Sequence, residues 1–245
     1  MIWRAHFWAL FSFYLFMKVT LSLSLFLFST FLIAQNPSED YLGSWYTYGS
    51  NHRLSERFSL SPYGELRFYE PSSNYNLAFF SLRGSYHFKN NQSVGLGYAY
   101  LDIDTVFEFD NEPNVHENRI FENYSVQKTF GKFLLTHRAQ LEQRLLDFKD
   151  RNEIQNRLRY RIGLKYVLNS TFSVKITEEP FINFQDQVFH ENRFYAGLDI
   201  KILKHSQLQI GYLKQHIRKN NLNRIQVGVS IKTDHRKPKH LTAVL

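Results

Sequence analysis

From Trp45 onward the chain is organised by a period of two. The pattern is plainest between Arg138 and Leu168. There Leu158, Tyr160, Ile162, Leu164, Tyr166 and Leu168 alternate with Arg157, Arg159, Arg161, Gly163, Lys165 and Val167. Just before them Ala139, Leu141, Gln143 and Leu145 alternate with Arg138, Gln140, Glu142 and Arg144. Successive side chains of a strand point to opposite faces, so this alternation predicts two facing strands, apolar on one side and charged on the other.

The same period recurs along the chain. Phe58, Leu60, Leu66 and Phe68 share one parity, with Pro62 and Gly64 inside the run predicting a bend, a bulge or an edge. Ala78, Phe80, Leu82, Tyr86 and Phe88 follow, opposite Arg83, Ser85 and His87. Val94, Leu96, Tyr98 and Tyr100 stand opposite Gly95, Gly97 and Ala99, small residues that leave room for a neighbouring long Arg or Tyr. Residues 117–128 are ambiguous in phase, because Glu122 shares the parity of Ile120, Tyr124 and Val126. Further runs end at Ile176, Ile202, Tyr212 and Ile231. About ten strands are predicted from Phe58 onward, and the aromatic piece Trp45–Tyr48 leaves the total at 10–12. Short turns (89–92, 129–132, 169–170, 203–206) alternate with longer loops (70–76, 102–116, 147–153, 183–189, 216–222), as in outer-membrane barrels. The expected fold is all-β: an antiparallel up-and-down outer-membrane β-barrel with both termini on the short-turn, periplasmic side. The other architecture open to such strands is a soluble periplasmic barrel with its apolar face turned inward around a lipid-like ligand.

The first 34 residues carry a different pattern. Val19 to Ala34 is an unbroken apolar run ending on a small residue, and Met17-Lys18 precedes it. This reads as a signal peptide cleaved after Ala34, with Met1–Phe16 as an upstream extension of a start at Met17. The barrel domain is expected over 35–232 and a basic tail over 233–245.

Composition narrows the chemistry. The 245 residues contain no Cys, which removes disulfides, thiolate metal sites and a thiol nucleophile. Aromatic residues make up 17% of the chain, and they suit both strands and bilayer interfaces. The net charge of +8 is spread over most strands rather than gathered in a patch, which argues against a nucleic-acid partner. No G-x-S-x-G elbow, phosphate loop or metal-ligand spacing is present, so neither an enzyme nor a cofactor is expected. Glu178 and Glu179 are strand neighbours and point to opposite faces, so they cannot flank one bond. His137 falls on the apolar parity. An outer-membrane lipid-modifying enzyme is the remaining catalytic alternative.

The charged parity holds Arg57, Arg67, Arg83, Arg119, Arg138, Arg144, Arg157, Arg159, Arg161 and Arg193, with Glu65, Glu117, Glu142, Glu179 and Glu191. A narrow lumen cannot leave charges unpaired, so a network is expected among Arg119, Arg138, Glu142, Arg144, Arg157, Arg159, Arg161, Glu179, Glu191 and Arg193. Such a network plugs the barrel. Because Arg outnumbers Glu, it also suits small anionic solutes. The expected partners are outer-membrane lipid on the apolar face and such solutes within.

Several short pieces occur in a telling order: Gly97-Tyr98, Glu117-Asn118-Arg119, Glu142-Gln143-Arg144, Arg157-Leu158-Arg159-Tyr160-Arg161, Glu179-Pro180-Phe181, Glu191-Asn192-Arg193 with Tyr195 and Gly197, and Gly211-Tyr212. Their order resembles the DUF2490 family of bacterial, largely Bacteroidetes, exported β-barrel proteins. The resemblance spans about Trp45 to Ile231. It implies an exported barrel and, since the family has no assigned activity, implies no reaction.

Overall fold

A computed structural model describes residues 37–107, 112–185 and 188–236. The signal peptide expected over 1–34, its cleavage after Ala34 and the alternative start at Met17 lie outside the described residues, as does the basic tail beyond Arg236.

A four-residue helix, α1 (Pro37–Asp40), leads into eleven strands: β1 (Leu42–Arg53), β2 (Phe58–Glu70), β3 (Ser73–His87), β4 (Gln92–Ile103), β5 (Val115–Phe130), β6 (Phe133–Asp147), β7 (Asn152–Val167), β8 (Phe172–Asn183), β9 (Phe189–Leu203), β10 (Ser206–Ile217) and β11 (Asn220–Asp234). Each strand pairs with its sequence neighbour, and β1 closes the barrel against β11. The sequential pairings are antiparallel, whereas β1 and β11 run parallel, from Leu42 opposite Asn223 to Arg53 opposite Asp234. The aromatic piece at Trp45 is therefore part of a full strand.

An odd number of strands forces this parallel seam and corrects one expectation. The chain enters the barrel at the long-loop rim and leaves β11 at the short-turn rim, so the two ends of the barrel do not share a rim. Several strands also run further than the loops expected from sequence. Pro71-Ser72 alone joins β2 to β3, and Arg218-Lys219 alone joins β10 to β11. Ser72, Asn74 and Arg218 take positive φ to make these tight reversals. The register shift of the β2–β3 ladder falls opposite Arg67-Phe68, with Asn76 of β3 as the extra residue, rather than at Pro62. Pro62 acts instead on the other edge: the β1–β2 ladder is interrupted opposite Ser61-Pro62, as expected for a residue without an N–H.

The faces sort as a membrane barrel requires. Phe80, Leu82, Leu96, Tyr98, Ile120, Leu141, Tyr160, Ile162, Leu164, Val174, Ile176, Phe194, Ile210 and Ile225 are exposed on the outside. Charged and polar side chains fill the inside, including Glu65, Arg67, Glu117, Arg119, Glu142, Arg144, Arg157, Arg159, Glu179 and Glu191. This rules out the inside-out soluble barrel. Aromatic rings gather where the outer surface meets the short turns: Phe58 lies 5.2 Å from Tyr86, Phe130 5.7 Å from Phe133, and Phe133 4.8 Å from Tyr166. At the opposite rim Tyr46 lies 6.0 Å from Phe68 and Tyr100 stacks on His116. Two such girdles bracket an apolar belt, as rings seated at two bilayer interfaces do. The ambiguous β5 resolves by burial: Phe121 points in and Glu122 points out. No helix among the described residues is long and apolar enough to cross a membrane.

Candidate functional site: the charged lumen

The inward parity of β5 to β9 brings the Arg and Glu residues to one level of the lumen. Strand register does most of the placing. Glu142 stands directly opposite Arg157, Arg119 opposite Arg144, Arg138 opposite Arg161, and Glu179 opposite Arg193. Two of these cross-strand pairs are like-charged and would repel in isolation. A carboxylate from a neighbouring position resolves each of them.

Glu117 sits between Arg119 and Arg144. Arg144 grips it with a two-pronged fork, Nε to Oε1 at 2.9 Å and Nη2 to Oε2 at 2.8 Å. Arg119 donates from Nε to the same Oε1 at 2.7 Å. Glu142 is the hub. It receives Arg157 Nε at 2.8 Å, Arg159 Nη1 at 2.8 Å, Arg119 Nη1 at 3.3 Å and the Gln140 amide at 2.7 Å. Glu179 receives Arg159 Nη2 and Arg138 Nη2, both at 2.9 Å, and Arg161 Nη2 at 2.5 Å. Glu191 receives Arg193 Nε at 2.5 Å and the Gln215 amide at 2.6 Å, with Arg157 at 3.8 Å. Glu65 pairs with Arg67 and accepts the Tyr63 hydroxyl at 2.5 Å.

Arg159 bridges Glu142 to Glu179, and Arg119 bridges Glu117 to Glu142, so the pairs form one chain from β5 to β8. Arg157 carries it on towards Glu191 and Arg193 on β9. Aromatic rings extend the network across the lumen. Phe181 is fully buried beneath Arg157, Arg159 and Arg193, whose guanidinium carbons lie 4.6–4.9 Å from its centroid. Arg193 also lies 5.1 Å from the Trp45 ring of β1, whose centroid is 3.7 Å from Arg67. Cations over ring faces are attracted by the quadrupole, most strongly where water is excluded. Glu117 and Glu142 are both 0% exposed, so the charge of these carboxylates is compensated by their guanidinium partners rather than by water.

Two chain features shape the layer. Pro180, which cannot donate to a ladder, interrupts the β7–β8 pairing opposite Tyr160-Arg161, beside the carboxylate of Glu179. Gly97 provides a recess: a Cβ there would collide with the Phe121 ring. The space opposite the small residues of β4 is thus taken mainly by Phe121, rather than by the Arg or Tyr expected from sequence. Arg83 does reach towards Gly95, beside Asn123.

Each of the ten residues expected to form the lumen network is found in it. Two of the wider set of charges stand apart: Arg83 faces inward but joins no ion pair among the described residues, and Arg57 precedes β2, is exposed and donates to the Tyr86 hydroxyl at 3.1 Å. His137 lies outside on β6, with Nδ1 2.7 Å from the Tyr160 hydroxyl. Sequence reading passed over Arg224, which is 1% exposed and folds over Gly43 at the parallel seam. It also gave no role to Lys165, Lys175 and Asp199, although their parity marked them as inward. Lys165 pairs with Asp199 at 2.8 Å. Among the described residues no cluster of His, Asp and Glu has the makings of a metal site.

The short pieces that supply this layer lie within a single family match. The sequence model of DUF2490, a protein of unknown function, covers residues 42–226. The chain belongs to the DUF2490 family. The Glu and Arg residues of its Glu-Asn-Arg, Glu-Gln-Arg, Arg-Leu-Arg-Tyr-Arg and Glu-Pro-Phe pieces, with Phe181, meet in the lumen, while residues between them such as Asn118, Gln143 and Tyr160 face outward. Two solved structures are similar in shape. A porin, 12% identical with a TM-score of 0.37, is matched over 76% of this chain and 59% of its own, so the chain spans about three fifths of the porin's length. The translocator domain of the autotransporter NalP from Neisseria meningitidis is 11% identical with a TM-score of 0.39, over 72% of this chain and 75% of its own. No curated protein matches the chain.

Proposed function

We propose that this DUF2490 member is an exported outer-membrane β-barrel whose lumen is crossed by the Arg/Glu network, with a structural or anionic-solute-related role rather than a catalytic one. The observation that carries this reading is the unbroken run of ion pairs from Glu117 through Glu142 to Glu179, set inside a wall whose outer face is apolar. Small barrels are filled by side chains, whereas open aqueous channels belong to barrels of about sixteen strands. The buried glutamates Glu65, Glu117, Glu142, Glu179 and Glu191 each meet at least one guanidinium, and Asp199 meets the Lys165 ammonium, so they serve as fixed anionic acceptors, a poor starting point for acid–base chemistry. The lipid-facing belt and its girdles support bilayer lipid as the partner of the outer surface.

Two measurements test this. The protein should co-fractionate with outer membranes and show heat-modifiable migration; recovery as a detergent-free soluble protein overturns the membrane reading. In planar bilayers the wild-type barrel should pass little current. Arg159→Ala, which removes the bridge between Glu142 and Glu179, should mainly lower stability. A large steady wild-type conductance whose anion preference shifts in Arg159→Ala would mean an open pore instead of a plug.

A further inference from the structure

The short-turn half of the lumen holds more cations than the network can neutralise. Arg83 on β3 has no carboxylate partner among the described residues; its nearest polar contact is the Ser61 hydroxyl at 3.5 Å. Lys175 on β8 stands directly opposite Lys165. Asp199 is taken up by Lys165, which leaves the Lys175 ammonium 5.7 Å from the Tyr195 ring. Arg138 and Arg161 face each other across β6 and β7 and share the single carboxylate of Glu179, which Arg159 also engages. Arg161 is close enough to Arg83, Arg138 and Lys175 for each to feel its charge. With the Ser61 and Thr177 hydroxyls the four cations line the short-turn part of a cavity of about 730 Å³, which continues past Glu117 and Arg119 to Phe107 and Phe148 towards the long-loop rim. The Nε atoms of Arg83, Arg138 and Arg161 have no hydrogen-bond partner.

Like charges gathered in a partly dry space repel, and unpaired N–H groups there cost free energy. A protein that merely needed a plug would add a carboxylate, as it does at Glu117 and Glu142. Forked guanidiniums converging with an ammonium and hydroxyls form instead the donor set of an oxyanion site. A monovalent ion would leave most of the excess charge standing.

We propose that the short-turn half of the lumen binds a small multivalent oxyanion, held by Arg83, Arg138, Arg161 and Lys175. This rests on the enclosed lumen described above and adds the ligand class and its place. Phosphoryl compounds and polycarboxylates share the required chemistry.

The test uses the full chain, extracted in detergent, with heat-modifiable migration recorded first so that failure of the barrel is seen separately from failure of the site. Pyrophosphate and citrate are titrated at constant ionic strength and followed by calorimetry and by the melting temperature. Saturable binding of either supports the site, and the stronger of the two identifies phosphoryl or carboxylate as its group. Arg83→Gln and Lys175→Gln leave no acid orphaned. Each should weaken binding tenfold or more while holding or raising the melting temperature without ligand, because repulsion is relieved. A response to both anions no greater than to chloride overturns the proposal. So does unchanged affinity in both variants, or a ligand-free melting temperature that falls in both, the mark of a purely structural role.

Discussion

At the scale of single residues, Glu142 is the group on which the interior depends. It is fully buried and holds Arg119, Arg157 and Arg159 within hydrogen-bond reach. Removing one partner of a buried ion pair leaves an uncompensated charge and costs roughly 3–5 kcal/mol. Glu142→Gln should therefore destabilise the barrel by about that amount in urea unfolding. A loss below ~1 kcal/mol would show that the guanidiniums are solvated rather than held by the acid. Glu178 supplies the control. It neighbours Glu179 in sequence but faces outward, where it accepts from the Asn192 amide at 2.5 Å. Glu178→Gln keeps an acceptor for the Asn192 amide and strips no guanidinium of its partner, so the same urea unfolding should show no destabilisation.

At the scale of elements, each strand works as a two-sided tape whose faces meet different solvents. Leu164 and Lys165 in β7 are adjacent, yet Leu164 joins the apolar belt and Lys165 pairs with Asp199 inside. Arginine on a lipid-facing position costs about 2–4 kcal/mol at the bilayer midplane. That cost fades towards the girdles, so Tyr160→Arg, deeper in the belt than Leu164, should lower folded yield in bilayers, read as loss of the heat-modifiable band. Much of this level was legible in sequence, because a strand's faces follow directly from parity. The phase of β5 was not. Glu122 on an outer face breaks the hydrophobic rule locally, and only its pairing opposite Leu96 and Leu141 places it. Strand ends were also under-read. Polar residues such as His116 and Asn156 were taken towards loops or left unassigned, although their backbones continue in the ladder beyond the belt.

At the scale of the whole molecule, the decisive fact is that eleven strands close on themselves through a parallel seam. Counting from sequence left 10–12, and an even total would have put both barrel ends on one side. With eleven, an epitope just before Leu42 and another just after Asp234 should be accessible from opposite faces of the membrane. Labelling of intact cells against lysed cells reads this directly; both epitopes appearing on one face would mean that β1 does not pair with β11 in the membrane. Arg224 supports the seam from within, its side chain lying over Gly43, where any Cβ would collide with it. Gly43→Val should accordingly weaken this closure first, seen as faster amide exchange in β1 and β11 than in β6 and β7.

Outside β5 the chain by itself determined which strand residues face which way, because alternation is a local property with a period of two and needs no knowledge of neighbours. It also determined that guanidiniums and carboxylates would share one side and, through its ordered short pieces, its likeness to a family. Only the tertiary structure decided which Arg meets which Glu, that Arg83 and Lys175 are left over, and that the ends of the barrel part company. Those outcomes depend on register between strands and on how many strands close the ring. Both are set by contacts between residues far apart in sequence, on which a local pattern carries no information.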